Sequence, residues 1–291
     1  MIVDVHAHCC PPGAFSEEFI ADARRMRASA VNLLTPYERY RDNLSPNEEV
    51  VSIVFGGKAR LSGVWIDDAD VAKYVAQAPD RMIGFLSVDP TQPGWEDELR
   101  EGRERHGLRG IKLLPMYADF YPQDERLDPL WKYATEHQLP VLLHTGTTFV
   151  AKAPIDCTLP RHLDVVARRF PDVKMILAHL GHPYEGETVV VIRKHPNLFA
   201  DVSALMYRPW QLFHSLMLVN EYNVWDKILF GTDYPVTTVA ETVAGLRSLV
   251  DVKIDRFSLP GEQIEQLIHR DALALLGLAD FRTKLNDRRS A

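Results

Sequence analysis

Cysteine is scarce in this chain. Cys9, Cys10 and Cys157 are the only three among 291 residues, an odd count with no framework spacing. A fold stapled by disulfides is excluded, and a reducing compartment, the cytoplasm by default, is the expectation. No apolar run approaches the length that spans a bilayer. Met1 leads straight into a strand, without the basic and apolar regions of a signal peptide. Basic blocks are missing too, and the net charge is −7. Nucleic acid and anionic membranes reward clustered Lys and Arg, so neither is expected as a partner. No glycine-rich dinucleotide fingerprint follows an early strand, which weakens an open doubly wound sheet. What is present is an ordinary soluble composition, 46% hydrophobic and 25% charged. It supplies ample material for a core and leaves a small molecule as the expected partner.

Short apolar runs alternate with helical stretches along the chain. Residues 1–8, 50–55, 81–88, 109–114, 139–144, 173–179, 198–203 and 227–230 read as strands, rich in Val, Ile, Leu and Phe and several of them closed by Gly or Pro. Helical spacing falls at 16–31, 67–77, 95–106, 129–137, 160–169, 186–195, 210–221, 239–250 and 262–276. Eight strands separated by helices predict a parallel sheet covered on both faces. At this length they favour a closed (β/α)8 TIM barrel, one α/β domain over 1–291 with a helical cover at 14–47 after the first strand.

The first strand carries the chemistry that the rest must complete. Alternation places Asp4, His6 and His8 on one face and Val3, Val5 and Ala7 on the other. Two imidazoles at that spacing can close on one metal ion, although a His-x-His pair also arises by chance. Further candidates stand at later strand ends: Lys112 in the fourth strand, His144 and His179 ending the fifth and sixth, and Asp233 after the eighth. A barrel brings such ends to one rim. Imidazoles with one carboxylate are a nitrogen and oxygen set suited to Zn2+ or a similar divalent ion. His106, His137, His162, His195, His214 and His269 fall in helices or at their ends and read as structural.

Asp-Val-His-Ala-His at 4–8, Gly-Ile-Lys-Leu-Leu-Pro at 110–115, Leu-Pro-Val-Leu-Leu-His-Thr-Gly at 139–146, Ala-His-Leu-Gly-His at 178–182 and Leu-Phe-Gly-Thr-Asp-Tyr-Pro at 229–235 occur in this order, with Pro-Asp-Arg-Met-Ile-Gly-Phe at 79–85. Together they resemble the amidohydrolase superfamily, in the amidohydrolase-related branch that includes aminocarboxymuconate semialdehyde decarboxylase. The resemblance implies metal ligands at His6, His8, His144 and Asp233, and His179 near the metal as an acid/base or a polarising donor. It implies one divalent ion, Zn2+ first, with Mn2+ or another ion as alternatives, and a homodimer. Lys112 would either be carbamylated between two metals or, by preference, bind a substrate carboxylate or a buried acid. Asp4 reads as an interior hydrogen-bonding group, His182 as a loop residue beside the site, and Cys9 and Cys10 as small packed hydrophobes.

Two reactions fit that implied site. In hydrolysis of an ester, lactone or amide, Asp233 accepts the proton of the attacking water and His179 or Lys112 steadies the oxyanion. In non-oxidative decarboxylation of a small aromatic or muconate-type acid, Asp233 or His179 protonates carbon while a cation holds the substrate. Arg208, flanked by Tyr207 and Trp210, is the candidate cation. The compact chain favours the hydrolase. A barrel that has lost catalysis and only binds is the third reading, against which stands the filling of every ligand position.

Overall fold

A computed structural model describes residues 1–26, 32–42 and 49–282. Ten strands form in chain order: β1 (Ile2–His8), β2 (Val50–Phe55), β3 (Lys58–Ala59), β4 (Val64–Trp65), β5 (Met82–Ser87), β6 (Ile111–Leu113), β7 (Val141–Leu143), β8 (Met175–Leu177), β9 (Leu198–Asp201) and β10 (Ile228–Leu229). Eight make one parallel sheet in the order β1-β2-β5-β6-β7-β8-β9-β10. Each strand lies beside the next in sequence, so the sheet winds round on itself. The gap between its first and last strands is closed by the segment after β10. Val5 N–H donates to the Phe230 carbonyl at 3.0 Å, Asp233 N–H to His6 at 2.8 Å and His8 N–H to Tyr234 at 2.9 Å. The result is the expected (β/α)8 barrel, and the segment that closes it is the one that carries Asp233.

The apolar residues form two layers. Between strands and helices lie Val54, Leu86, Leu113 and Leu143 with helix residues such as Leu99, Trp131, Leu163 and Val166. The helix Arg161–Arg169 shows why: Leu163, Val166 and Ala167 are buried on one stripe while arginines occupy its last turn. Inside the barrel, Val3, Val5, Ile53, Phe55, Phe85, Leu142 and Phe199 pack together, and Leu273, Leu276 and Phe281 join them from the C-terminal segment. Gly110 has to be glycine, since a Cβ there would lie 2.4 Å from the Phe85 ring. A filled lower half leaves the chemistry to the rim at the strand C-termini.

Several local expectations are corrected. The pairing of β1 with β2 shifts register between Asp4 and Ala7. Val3 and Val5 therefore face the interior, and so does His6, whose ring packs on interior Phe55 at 5.0 Å. Strict alternation of Asp4, His6 and His8 on one face is broken by this irregularity, as a β-bulge re-aims side chains. Asp4 instead accepts from Thr232 N–H at 3.0 Å, the Thr232 hydroxyl at 2.7 Å and His6 N–H at 3.0 Å, the interior bonding role expected of it. The sixth predicted strand stops at Leu177, before His179. The stretch 262–276 is two helices, Gly261–Ile268 and Ala272–Leu276.

Of the cover, the helices Glu17–Met26 and Tyr37–Asp42 are seen, and the parts of the 14–47 prediction at 27–31 and 43–47 lie outside the described residues. The β3–β4 hairpin, unforeseen from sequence, anchors this cover. Trp65 N–H donates to Ala14 at 2.9 Å and Ser16 N–H to Gly63 at 2.8 Å. Phe15, Phe19 and Leu33 are thereby set over the barrel mouth, where they line its cavity.

Candidate metal centre

The predicted site residues line two adjoining lobes that share His144, His179 and Asp233. His6 is fixed first. Its Nδ1 lies 2.9 Å from Asp201 Oδ2, and because a carboxylate only accepts, Nδ1 carries the proton and Nε2 is turned to the cavity. There Nε2 stands 3.3 Å from Asp233 Oδ1 and 3.4 Å from Lys112 Nζ. His8 Nε2 meets the same Asp233 oxygen at 3.0 Å. His179 sits in the turn Ala178–Gly181 with φ 58°, a left-handed conformation uncommon outside glycine. Its backbone N–H is held by Asp201 Oδ1 at 3.0 Å, and its Nδ1 faces the Ser203 carbonyl at 3.1 Å and hydroxyl at 2.8 Å. Its Nε2 is therefore the free nitrogen as well.

His144 follows β7 and is oriented the other way round. Its Nε2–H donates to the Thr147 carbonyl at 3.0 Å, leaving Nδ1 for the site. Its ring lies edge-on to Tyr117 at 4.9 Å and to His179 at 5.1 Å. Among the described residues, the donor atoms of His6, His179 and Asp233 form the tight group, all within 4.8 Å of one another. His8 touches it through Asp233, and His144 stands behind His179.

Burial and charge set the protonation of these groups. Burial opposes ionisation of Asp233, but hydrogen bonds from His6 and His8 outweigh it and hold the carboxyl well below the usual range. Asp201 is likewise held low, against burial, by the His6 charge and hydrogen bond. Burial and Lys112 push His6 toward the neutral ring, yet the two carboxylates prevail and its pKa is raised. Burial lowers His8, takes His179 down to about 4 and pushes His144 well below its ordinary value. The Lys112 amine, 1% exposed and 4.4 Å above the Phe55 ring, is brought by burial down to about 7.

Two adjoining lobes open from this centre. One, of about 720 Å3, is bounded by His6, His8, Lys112 and Asp233 and walled by apolar side chains including Phe19 and Ile66. The other, of about 940 Å3, shares Tyr117, His144, His179 and Asp233 and adds Thr148, His182, Tyr207 and Arg208. Arg208, at the start of the helix Pro209–Glu221, thus lines the second lobe but not the first. Cys10 also borders the first lobe, but burial raises its thiol far above the range of a nucleophile, and burial raises Cys9 to about 12. Sequence reasoning passed over Asp201, Ser203 and Tyr117. Asp201 carried a usable signal: it is the lone acid of its apolar strand and stands at the strand end, as the other site residues do.

The donor set suits a divalent ion. It offers an ionised buried carboxylate and, in His6, His144 and His179, imidazoles whose outer nitrogens are already engaged by protein acceptors. The family described as Amidohydrolase matches residues 3–278. This chain belongs to the amidohydrolase family. None of the curated proteins matches it in sequence. Solved structures share its fold at low identity. An uncharacterized TIM-barrel protein of Bordetella bronchiseptica is 21% identical, with a TM-score of 0.75 over 96% of this chain and 99% of its own. A probable 2-pyrone-4,6-dicarboxylic acid hydrolase of Acinetobacter baumannii is 14% identical, with a TM-score of 0.66 over 95% and 99%. A dihydroxybenzoic acid decarboxylase of Polaromonas, solved with bound manganese, is 16% identical, with a TM-score of 0.64 over 95% and 97%.

Metal binding to this amidohydrolase should release few protons. His8, His144 and His179 are held neutral by burial, so at about pH 7 the protons released come from His6, whose pKa the two carboxylates raise, and in part from Lys112, whose charge the ion repels. Calorimetric titration in buffers of different ionisation enthalpy measures the number. Release of three or more would mean that the imidazoles are charged in the metal-free protein.

Proposed function

We propose that this amidohydrolase is a metal-dependent hydrolase that cleaves a small carboxylate-bearing ester, lactone or amide. The observation that carries the reading is Asp233, an ionised carboxylate that touches His6 and His8 and faces the open cavity. His6, His8, Asp233 and His144 are the proposed ligands, with His179 as the alternative fourth because one of its ring nitrogens already lies in the tight group. A bound ion, Zn2+ or Mn2+, would supply Lewis acidity toward a carbonyl and acidify water.

The remaining steps belong to the protein. Asp233 takes the proton from the attacking water and returns it to the leaving group. Lys112, buried on Phe55 beside His6, donates to the oxygen on which charge develops, while His179 Nε2, which carries the lone pair of its neutral ring, accepts a hydrogen bond from the attacking water. Arg208 holds the substrate carboxylate in the second lobe, where its planar donors suit a bidentate pair. The apolar wall of the first lobe, Phe19 among it, limits water around the reacting bond. A second reading, decarboxylation of a small aromatic acid, draws support from His179 and Arg208 sharing one lobe and from the fold shared with the Polaromonas decarboxylase.

Elemental analysis of protein expressed with zinc or manganese, followed by acid-release assays on lactones and esters and carbon dioxide assays on hydroxybenzoates, tests the reading. About one ion per chain and acid release are expected. Metal retained in His179→Ala but lost in His144→Ala would fix the fourth ligand as His144, and the reverse would fix it as His179. No metal, or carbon dioxide as the only product, would sink the hydrolase.

A further inference from the structure

One buried carboxylate near the cavity has no part in the metal centre. Glu185, first residue of the helix Glu185–Lys194, is 3% exposed. Its Oε1 accepts from His182 Nδ1 at 3.0 Å, from Ser215 Oγ at 3.1 Å and from the Gln211 side-chain amide. Among the described residues no Lys or Arg pairs with it. Burial opposes its charge, but hydrogen bonds from His182, its own backbone, Gln211 and Ser215 bring its pKa down to about 2. An ionised carboxylate whose one titratable partner is an imidazole is an expensive way to join two helices, since neutral groups would do the same.

What the arrangement does control is His182. The main chain of His182 is pinned on both sides: its N–H donates to the His179 carbonyl at 2.9 Å, and its own carbonyl lies where a Cβ on Gly146 would come within 2.0 Å. His182 borders the second lobe, with Arg208, Tyr207 and Thr148. Because Glu185 only accepts, Nδ1 carries a proton, and a ring with its single proton there has its lone pair on Nε2. Among the described residues Nε2 has no protein partner, and it belongs to the ring edge turned away from Glu185.

We propose that His182 is a specificity residue and Glu185 its positioning residue: Nε2 accepts a hydrogen bond from a hydroxyl on a small carboxylate whose anionic group faces Arg208. This rests on the reading above in which Arg208 takes the substrate carboxylate. The class of ligand is a hydroxylated dicarboxylate or its ester, one end at the metal centre and the other at Arg208.

Malate and succinate, which differ by one hydroxyl, are the probes, with affinities for the metal-loaded protein measured by calorimetry. Malate should bind roughly three- to tenfold more tightly, the usual worth of one hydrogen bond. In His182→Phe that preference should fall to within about twofold while succinate binding persists. Glu185→Gln should act in the same direction, with 15N shifts of His182 moving away from the Nδ1–H form. If Glu185→Gln fails to fold, His182→Phe and the wild-type 15N shifts decide. Equal weakening of both acids would mean a structural role and overturn the proposal, as would no preference, no binding of either acid, or an Nε2–H form in the wild type. These readouts are binding and tautomer. Failure of the hydrolase reading shows instead in metal content and acid release.

Discussion

Asp233→Asn lowers turnover of the metal-saturated protein by roughly 10²- to 10⁴-fold, the span expected when a positioned proton acceptor is removed. The substitution is conservative everywhere except in the proton. Asp233 has φ 60°, a conformation that Asn tolerates as well as Asp. Its backbone bond to the His6 carbonyl, which helps close the barrel, is untouched. An amide keeps an oxygen for one ligand contact but cannot take a proton from water. Metal affinity should fall too, because a charged ligand becomes neutral, so turnover is compared at saturating zinc. Unchanged thermal denaturation with lost turnover supports the role proposed for Asp233. Near wild-type turnover at saturating metal would confine Asp233 to shaping the rim.

The barrel is largely legible in the sequence because most of its strands are apolar runs buried on both sides, which stand out from the amphipathic helices between. Val50–Phe55 and Met175–Leu177 are entirely buried. The β3–β4 hairpin is not legible, since strands of two residues have no period to detect. Pro115 reads as a strand stop, and it is one, but it also opens the one-turn helix Pro115–Ala118 as an N-terminal proline. His144, His179 and Asp233 are legible one by one, since each is a polar residue following an apolar run. Their mutual arrangement is not. The register shift that turns His6 inward depends on the fit of β1 to β2, and the His6–Asp201 pair joins strands 195 residues apart.

That pair carries the second large expected effect. Asp201→Asn should weaken metal binding by about 10- to 100-fold, the usual cost of losing a partner behind a ligating histidine. The reason lies in the count of acceptors. Oδ2 accepts from His6 Nδ1, while Oδ1 accepts from the backbone N–H groups of His179 and Ser203, at 3.0 Å each, and from the Ser203 hydroxyl. Asparagine has one acceptor oxygen. If that oxygen stays with the two backbone donors, the amide NH2 is set against His6 Nδ1 and forces the ring proton to Nε2, the nitrogen that faces the cavity. If the amide flips, the backbone of His179 loses its acceptor in a turn that already holds a left-handed conformation. Either way one of the two histidines in the tight donor group is disabled, although neither is mutated. Zinc affinity by competition with a chelator, read beside the 15N shifts of His6, separates the two routes. A metal affinity within about twofold of wild type would mean that His6 is oriented by packing on Phe55 rather than by Asp201.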